Sequence, residues 1–180
     1  MLVALALGAW LHAAPFAALH WSWRGLAWGI VATAPLLLVL WWCLRTPFPP
    51  IARLVELVEE RLGPFFAGSA TLELLALAAM AGLGEEALFR GVIQTALAGH
   101  LPAWAAVALT AFLFGAAHWL TTSYAVLAAI VGAYLGWLLL ASGNLLVPIV
   151  AHAVYDLLAL SVLVRRSGTA RNSLEGPGAS

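Results

Sequence analysis

Apolar residues fill long stretches of this chain, and polar ones gather in the short breaks between them. Met1–Leu19 is apolar apart from His12 and Pro15 and is expected to form a first membrane span. It has no positively charged start, so a cleaved signal peptide is not expected. The Trp-rich His20–Gly25 turns the chain into a second span, Leu26–Leu44. Arg45-Thr46-Pro47-Phe48-Pro49-Pro50 then breaks the pattern. Over Ile51–Leu62 the period changes: Leu54, Val55, Leu57, Val58 and Leu62 are set against Arg53, Glu56, Glu59, Glu60 and Arg61. That is the stripe of an amphipathic helix lying on a membrane surface, or of a solvated connector. Phe65–Leu97 exceeds one perpendicular crossing, so a third span here is tilted or broken, with Gly82-Leu83-Gly84 as the breaking point. Gly99-His100-Leu101 turns the chain, and Pro102 suits the first turn of a fourth span, Ala103–Trp119. After Thr121-Thr122-Ser123 comes a fifth, Tyr124–Ala141, whose Gly132 and Gly136 form a small-xxx-small packing face. Ser142-Gly143-Asn144 leads into a sixth, Leu145–Val164. Arg165–Ser180 is polar and Gly/Ser-rich, the composition of a disordered tail.

Composition turns these stretches into membrane helices. The chain is 64% hydrophobic and 9% charged, with a mean hydropathy of +0.99, more apolar surface than a soluble domain of 180 residues can bury. Apolar runs of about 20 residues identify helical spans. The expected fold is all-α: a polytopic transmembrane bundle of about six spans, with an amphipathic surface helix before the third. Residues 1–164 form one transmembrane domain with its motif core at 65–164, and residues 165–180 a cytoplasmic tail. Eight basic residues balance eight acidic ones, so nothing points to a nucleic-acid partner. The single Cys43 excludes an internal disulfide and a cysteine-based metal cluster. The nine Trp suit interfacial belts. Arg45, Arg53 and Arg61 fall on the same side as Arg165, Arg166 and Arg171, and the positive-inside rule makes that side cytoplasmic. The expected location is the bacterial cytoplasmic membrane with both termini inside; Arg24 alone opposes this orientation.

Against this background Gly84-Glu85-Glu86-Ala87-Leu88-Phe89-Arg90-Gly91 stands out, with three charges inside an apolar span. A charge at bilayer depth costs about 2.5–3.5 kcal/mol on insertion scales. Glu86 and Arg90 are i,i+4 with the acid first, the better order for a neutralising pair. Glu85 points about 100° away from Glu86 on a helix and has no such local partner. An unpaired intramembrane carboxylate is a functional candidate; a structural ion pair beside a protonated Glu is the plainer alternative.

Three other ionisable residues lie deep in the later spans: His118, His152 and Asp156. His152 and Asp156 are i,i+4, so the acid can orient the ring. At 1.5 Å per residue, Glu85 lies roughly 18 Å from its span end, His118 roughly 24 Å, His152 roughly 12 Å and Asp156 roughly 18 Å. Within a few residues of boundary error the four meet at one level. A carboxylate and an imidazole sharing a water can make it a nucleophile, and a second imidazole can stabilise an oxyanion. Glu85, His118 and His152 equally match a catalytic Zn²⁺ shell of two His and a carboxylate. Proton relay in a transporter uses similar groups. No His-Glu-x-x-His run is present, and Ser123, Ser142 and Ser161 sit in no Gly-x-Ser-x-Gly elbow.

Glu85-Glu86-x-x-x-Arg90, Phe114-x-x-x-His118 and His152-x-x-x-Asp156, in that order and on separate spans, resemble the three motifs of the CPBP family, the intramembrane CAAX-prenyl-protease and bacteriocin-processing (Abi) proteins. The resemblance covers Gly84 to Asp156. It implies an intramembrane endopeptidase, classed as a metalloprotease, in which Glu85 and His118 activate water. It further implies that His152 and Asp156 complete the site and that Glu86 and Arg90 support it. The third motif ends in Asp where eukaryotic prenyl proteases have Asn. The implied partner is a peptide or protein substrate, prenylated or membrane-associated, in the lipid bilayer. A non-catalytic immunity or scaffold protein and a proton-coupled transporter are the other functions these residues allow.

Overall fold

In the computed structural model the described residues are 1–174, with side chains described to Ser167. Among them the chain is all-helical, without a strand. The helices are α1 (Leu2–Trp10), α2 (Trp23–Cys43), α3 (Pro49–Phe66), α4 (Thr71–Ala98), α5 (Ala103–Ala117), α6 (Thr122–Ser142) and α7 (Leu146–Leu174). Large apolar side chains such as Trp10, Trp23, Phe65, Leu72 and Trp104 face outward, while Glu86 and Arg90 are fully buried. That inversion is what a lipid solvent allows.

Among the described residues three helices are long and apolar enough to cross a membrane: α2, α6 and residues Leu146–Ser167 of α7. The bent pair α3 and α4, at 116° to each other, makes up to four. Two expected spans are shorter than the apolar pattern indicated. The first is only a 9-residue helix, about 14 Å long against about 30 Å of hydrocarbon. It ends because His12 takes a left-handed conformation (φ 54°) and the Ala13 N–H bonds back to the Gly8 carbonyl at 2.9 Å, the 6→1 closure that terminates helices. The chain then folds back, and the Pro15 backbone lies against Gly91 of α4, where a Cβ has no room. The fourth, α5, has 15 residues, about 22 Å, and stops at Ala117. The tail expected from Arg165 begins instead as the continuation of α7 to Leu174; residues 175–180 lie outside the described residues.

α7 is the central helix, with α2, α3, α4 and α6 packed against it. Glycines set the closest approaches. A Cβ on Gly29 of α2 would sit 2.6 Å from Val150, and one on Gly82 of α4 3.0 Å from Ala153, so both helices touch α7 backbone to backbone. α3 does carry the expected amphipathic stripe, but Ile51 and Leu54 are buried against protein. Its Glu59 pairs with Arg166 of α7, so the two Arg-rich segments lie at the same end of the molecule. Gly143 closes α6 in the left-handed conformation (φ 62°), and Asn144 ties the turn to His20 through bonds of 3.0 and 2.7 Å.

Candidate active site

α4 changes its winding just past Glu85 and Glu86. Residues Ala87–Gln94 form a π-helical segment, whose i→i+5 bonding widens each turn beyond four residues. Positions four apart therefore stay on one face, and Glu86, Arg90 and Gln94 are all buried on it. That face meets the glycine stripe of α6. Arg90 donates from Nη2 to the Gly132 carbonyl (2.7 Å), and Gln94 from Nε2 to the Gly136 carbonyl (3.1 Å). The missing side chains expose those carbonyls to the incoming donors.

Glu86 Oε1 accepts from Arg90 Nη1 at 2.7 Å, the i,i+4 pair expected from sequence. The same oxygen accepts from His152 Nδ1 at 2.8 Å. Helical spacing had matched His152 to Asp156; its shorter contact is Glu86, and Asp156 Oδ2 lies 3.4 Å from the other ring nitrogen, Nε2. The Arg90 guanidinium also lies over the Phe114 ring, 4.7 Å from its centroid, which helps hold a cation at zero exposure.

Glu85 turns the other way. Its Oε2 lies 3.4 Å from His118 Nε2, and both side chains keep partial exposure, 34% for Glu85 and 25% for His118. His118 is not within a helix but caps the C-terminal end of α5. Its Nδ1 lies 2.8 Å from the Phe114 carbonyl, which only accepts, so Nδ1 carries the proton and Nε2 faces Glu85. At 3.4 Å the two face each other without a hydrogen bond, and Glu85 Oε2 is left without a hydrogen-bond partner. Phe114 ties the halves together: its ring stacks on His118 at 4.3 Å and meets His152 edge-on at 6.1 Å.

Glu85, His118, His152 and Asp156 therefore come together around Phe114, with Glu86 and Arg90 behind them. Sequence reasoning overlooked Gln94, although its spacing of four from Arg90 repeats that of Arg90 from Glu86. It also overlooked Tyr124, whose ring lies 6.4 Å from His118. No local pattern marks Tyr124; it arrives only because α6 starts beside the end of α5. A Zn²⁺ held by Glu85, His118 and His152 would need three lone pairs converging about 2 Å from one point. Nδ1 of each histidine is bonded within the protein, which leaves Nε2 of each, one facing Glu85 and the other Asp156, as the nitrogen free to ligate. Among the described residues no three His, Cys, Asp or Glu side chains are arranged to hold a metal ion.

Apolar helices around a polar Glu/His cluster define an integral membrane protein with a helix-buried site. The family described as type II CAAX prenyl endopeptidase Rce1-like matches residues 67–158, and the protein belongs to it. The matched region runs from the connection before α4 to just past Asp156 and contains every site residue named above. Membership implies a peptidase whose peptide or protein substrate lies in a membrane. No curated protein and no solved structure matches the chain.

Proposed function

We propose that the protein is an intramembrane endopeptidase that hydrolyses the CAAX-type tail of a membrane-associated substrate, with Glu85 and His118 activating the water. The observation that carries this reading is the 3.4 Å approach of Glu85 Oε2, on α4, to Nε2 of His118 at the end of α5, both side chains partly exposed, beside fully buried Glu86 and Arg90. A water against this pair gives one proton to it, and its oxygen adds to the scissile carbonyl carbon. The carbonyl π bond breaks and its electrons become an oxyanion. His152, held through Nδ1 by Glu86 and flanked at Nε2 by Asp156, offers that oxyanion a hydrogen bond from protonated Nε2. On collapse the C–N bond breaks, and the leaving amine takes the proton held by Glu85 and His118. Glu86 and Arg90 touch no reacting atom; they fix His152.

The Arg-rich end, where Glu59 meets Arg166, is the cytoplasmic end by the positive-inside rule. The reading therefore has the substrate tail approaching from the cytoplasm.

The test is cleavage of quenched peptides, prenylated and plain, by purified protein in nanodiscs, with Glu85→Ala beside the wild type and a chelator arm. Cleavage by wild type alone supports the reading. Loss of that cleavage to chelator would assign the water to a metal instead. Cleavage by Glu85→Ala, with the fold retained, refutes it. Solute flux in liposomes without a peptide product would favour proton-coupled transport.

A further inference from the structure

A cleft of about 460 Å³ opens between α3 and the junction of α5 with α6, lined by Pro50, Arg53, Leu54 and Leu57 on one side and Thr121, Thr122 and Ser123 on the other. Its volume lies within the range of about 300–1,000 Å³ typical of small-ligand sites. The walls differ in chemistry. α3 contributes apolar surface and one cation; Arg53 has no ion-pair partner among the described residues. The opposite wall contributes three hydroxyls at the start of α6, where Thr121 Oγ1 caps the helix by accepting from the Tyr124 N–H at 3.1 Å. A cation and hydroxyl donors facing each other across leucine and proline suit a small anion on the end of an apolar peptide.

The cleft lies beside the candidate site. Thr121 is three residues beyond His118, so the chain between them spans at most about 10 Å. Tyr124, just past the hydroxyl wall, brings its ring within 6.4 Å of His118. The CAAX tail of the family description ends three residues past its cysteine, an extended reach of about 10 Å. A substrate with its scissile bond at Glu85 and His118 would thus bring its carboxyl terminus to this cleft.

Resting on the proposed peptidase reading, we infer that this cleft is the subsite for the free carboxylate of the substrate's C terminus, with Arg53 as its charge partner and the Thr121–Ser123 wall as its hydrogen-bond donors. Leu54 and Leu57 line the path of the last apolar side chains. Arg53 is a specificity residue and takes no part in the chemistry at Glu85.

The test is binding of a fluorescent prenylated CAAX peptide, as free acid and as C-terminal amide, to the wild type in zwitterionic nanodiscs, with cleavage followed in parallel. The acid is expected to bind about tenfold more tightly than the amide, the effect of one charge-assisted contact. Arg53→Gln should bring acid and amide together by weakening the acid alone, and Arg53→Lys should restore part of the gap. The same gap should appear in KM with kcat nearly unchanged. Equal binding of acid and amide to the wild type overturns the inference. So does a gap that survives in Arg53→Gln, or an equal loss for both peptides, which would make Arg53 structural. Competition by added anionic lipid that is indifferent to the peptide's end would give the cleft to a headgroup and also overturn it. Absence of cleavage by the wild type, with the acid preference intact, would instead count against the peptidase reading and leave the subsite standing.

Discussion

Glu86 is wholly buried and its Oε1 takes hydrogen bonds from both Arg90 and His152, whereas Glu85, one residue earlier, keeps a third of its side chain exposed and meets His118 across 3.4 Å. Two identical side chains, adjacent in the chain, thus occupy opposite environments. The first is a neutralised, short-bonded network sealed between α4, α6 and α7. The second is a loose contact at the end of α5 between two partly exposed side chains. The difference teaches that a buried charge cluster in a membrane protein need not be chemical throughout. Its sealed half sets geometry, and its open half has room to react.

The sharpest break of this comparison is Glu85→Gln. Peptide cleavage should fall by about 10²–10⁴-fold, the usual worth of a general base, while the unfolding midpoint in detergent hardly moves. A variant that unfolds instead would place Glu85 with the sealed half. Next comes Arg90→Met, which leaves the Glu86 carboxylate buried without its cation and should cost about 3–5 kcal/mol of stability, read by denaturant unfolding. A stable Arg90→Met with only its activity lost would move Arg90 into the open half. Gly91→Ala probes the join between the π-helical turn and the folded-back N-terminal segment. The new methyl meets the Pro15 backbone, and a loss of about 1–3 kcal/mol is expected. Asp156→Asn is the mildest. An amide can still accept near His152 Nε2, so cleavage should stay within about tenfold of wild type, the scale of one weak polar contact.

Much of this arrangement is legible along the chain. Spacing of four marked Glu86 with Arg90 as a pair, left Glu85 facing elsewhere, and put His152 and Asp156 on one face. Boundaries were less legible. Hydropathy extended the first span through His12 and Pro15, because a left-handed residue and a 6→1 turn carry no apolar signature. It likewise carried the fourth span past Ala117, although α5 ends there with His118 as its cap. That correction matters for function, since a histidine at a helix end beside a cleft is easier to reach than one in mid-span.

By itself the sequence determined the solvent, the helical class and the residues able to do chemistry, because apolar run length and i,i+4 spacing are local properties. Only the tertiary structure decided which acid is sealed and which is open. That choice depends on a π-helical turn aligning Glu86, Arg90 and Gln94, and on glycines of α6 presenting bare carbonyls to Arg90 and Gln94. It depends equally on Glu86, rather than Asp156, being the nearer partner of His152, a contact between residues 66 positions apart. No spacing rule reaches that far; packing of α4 against α7 does.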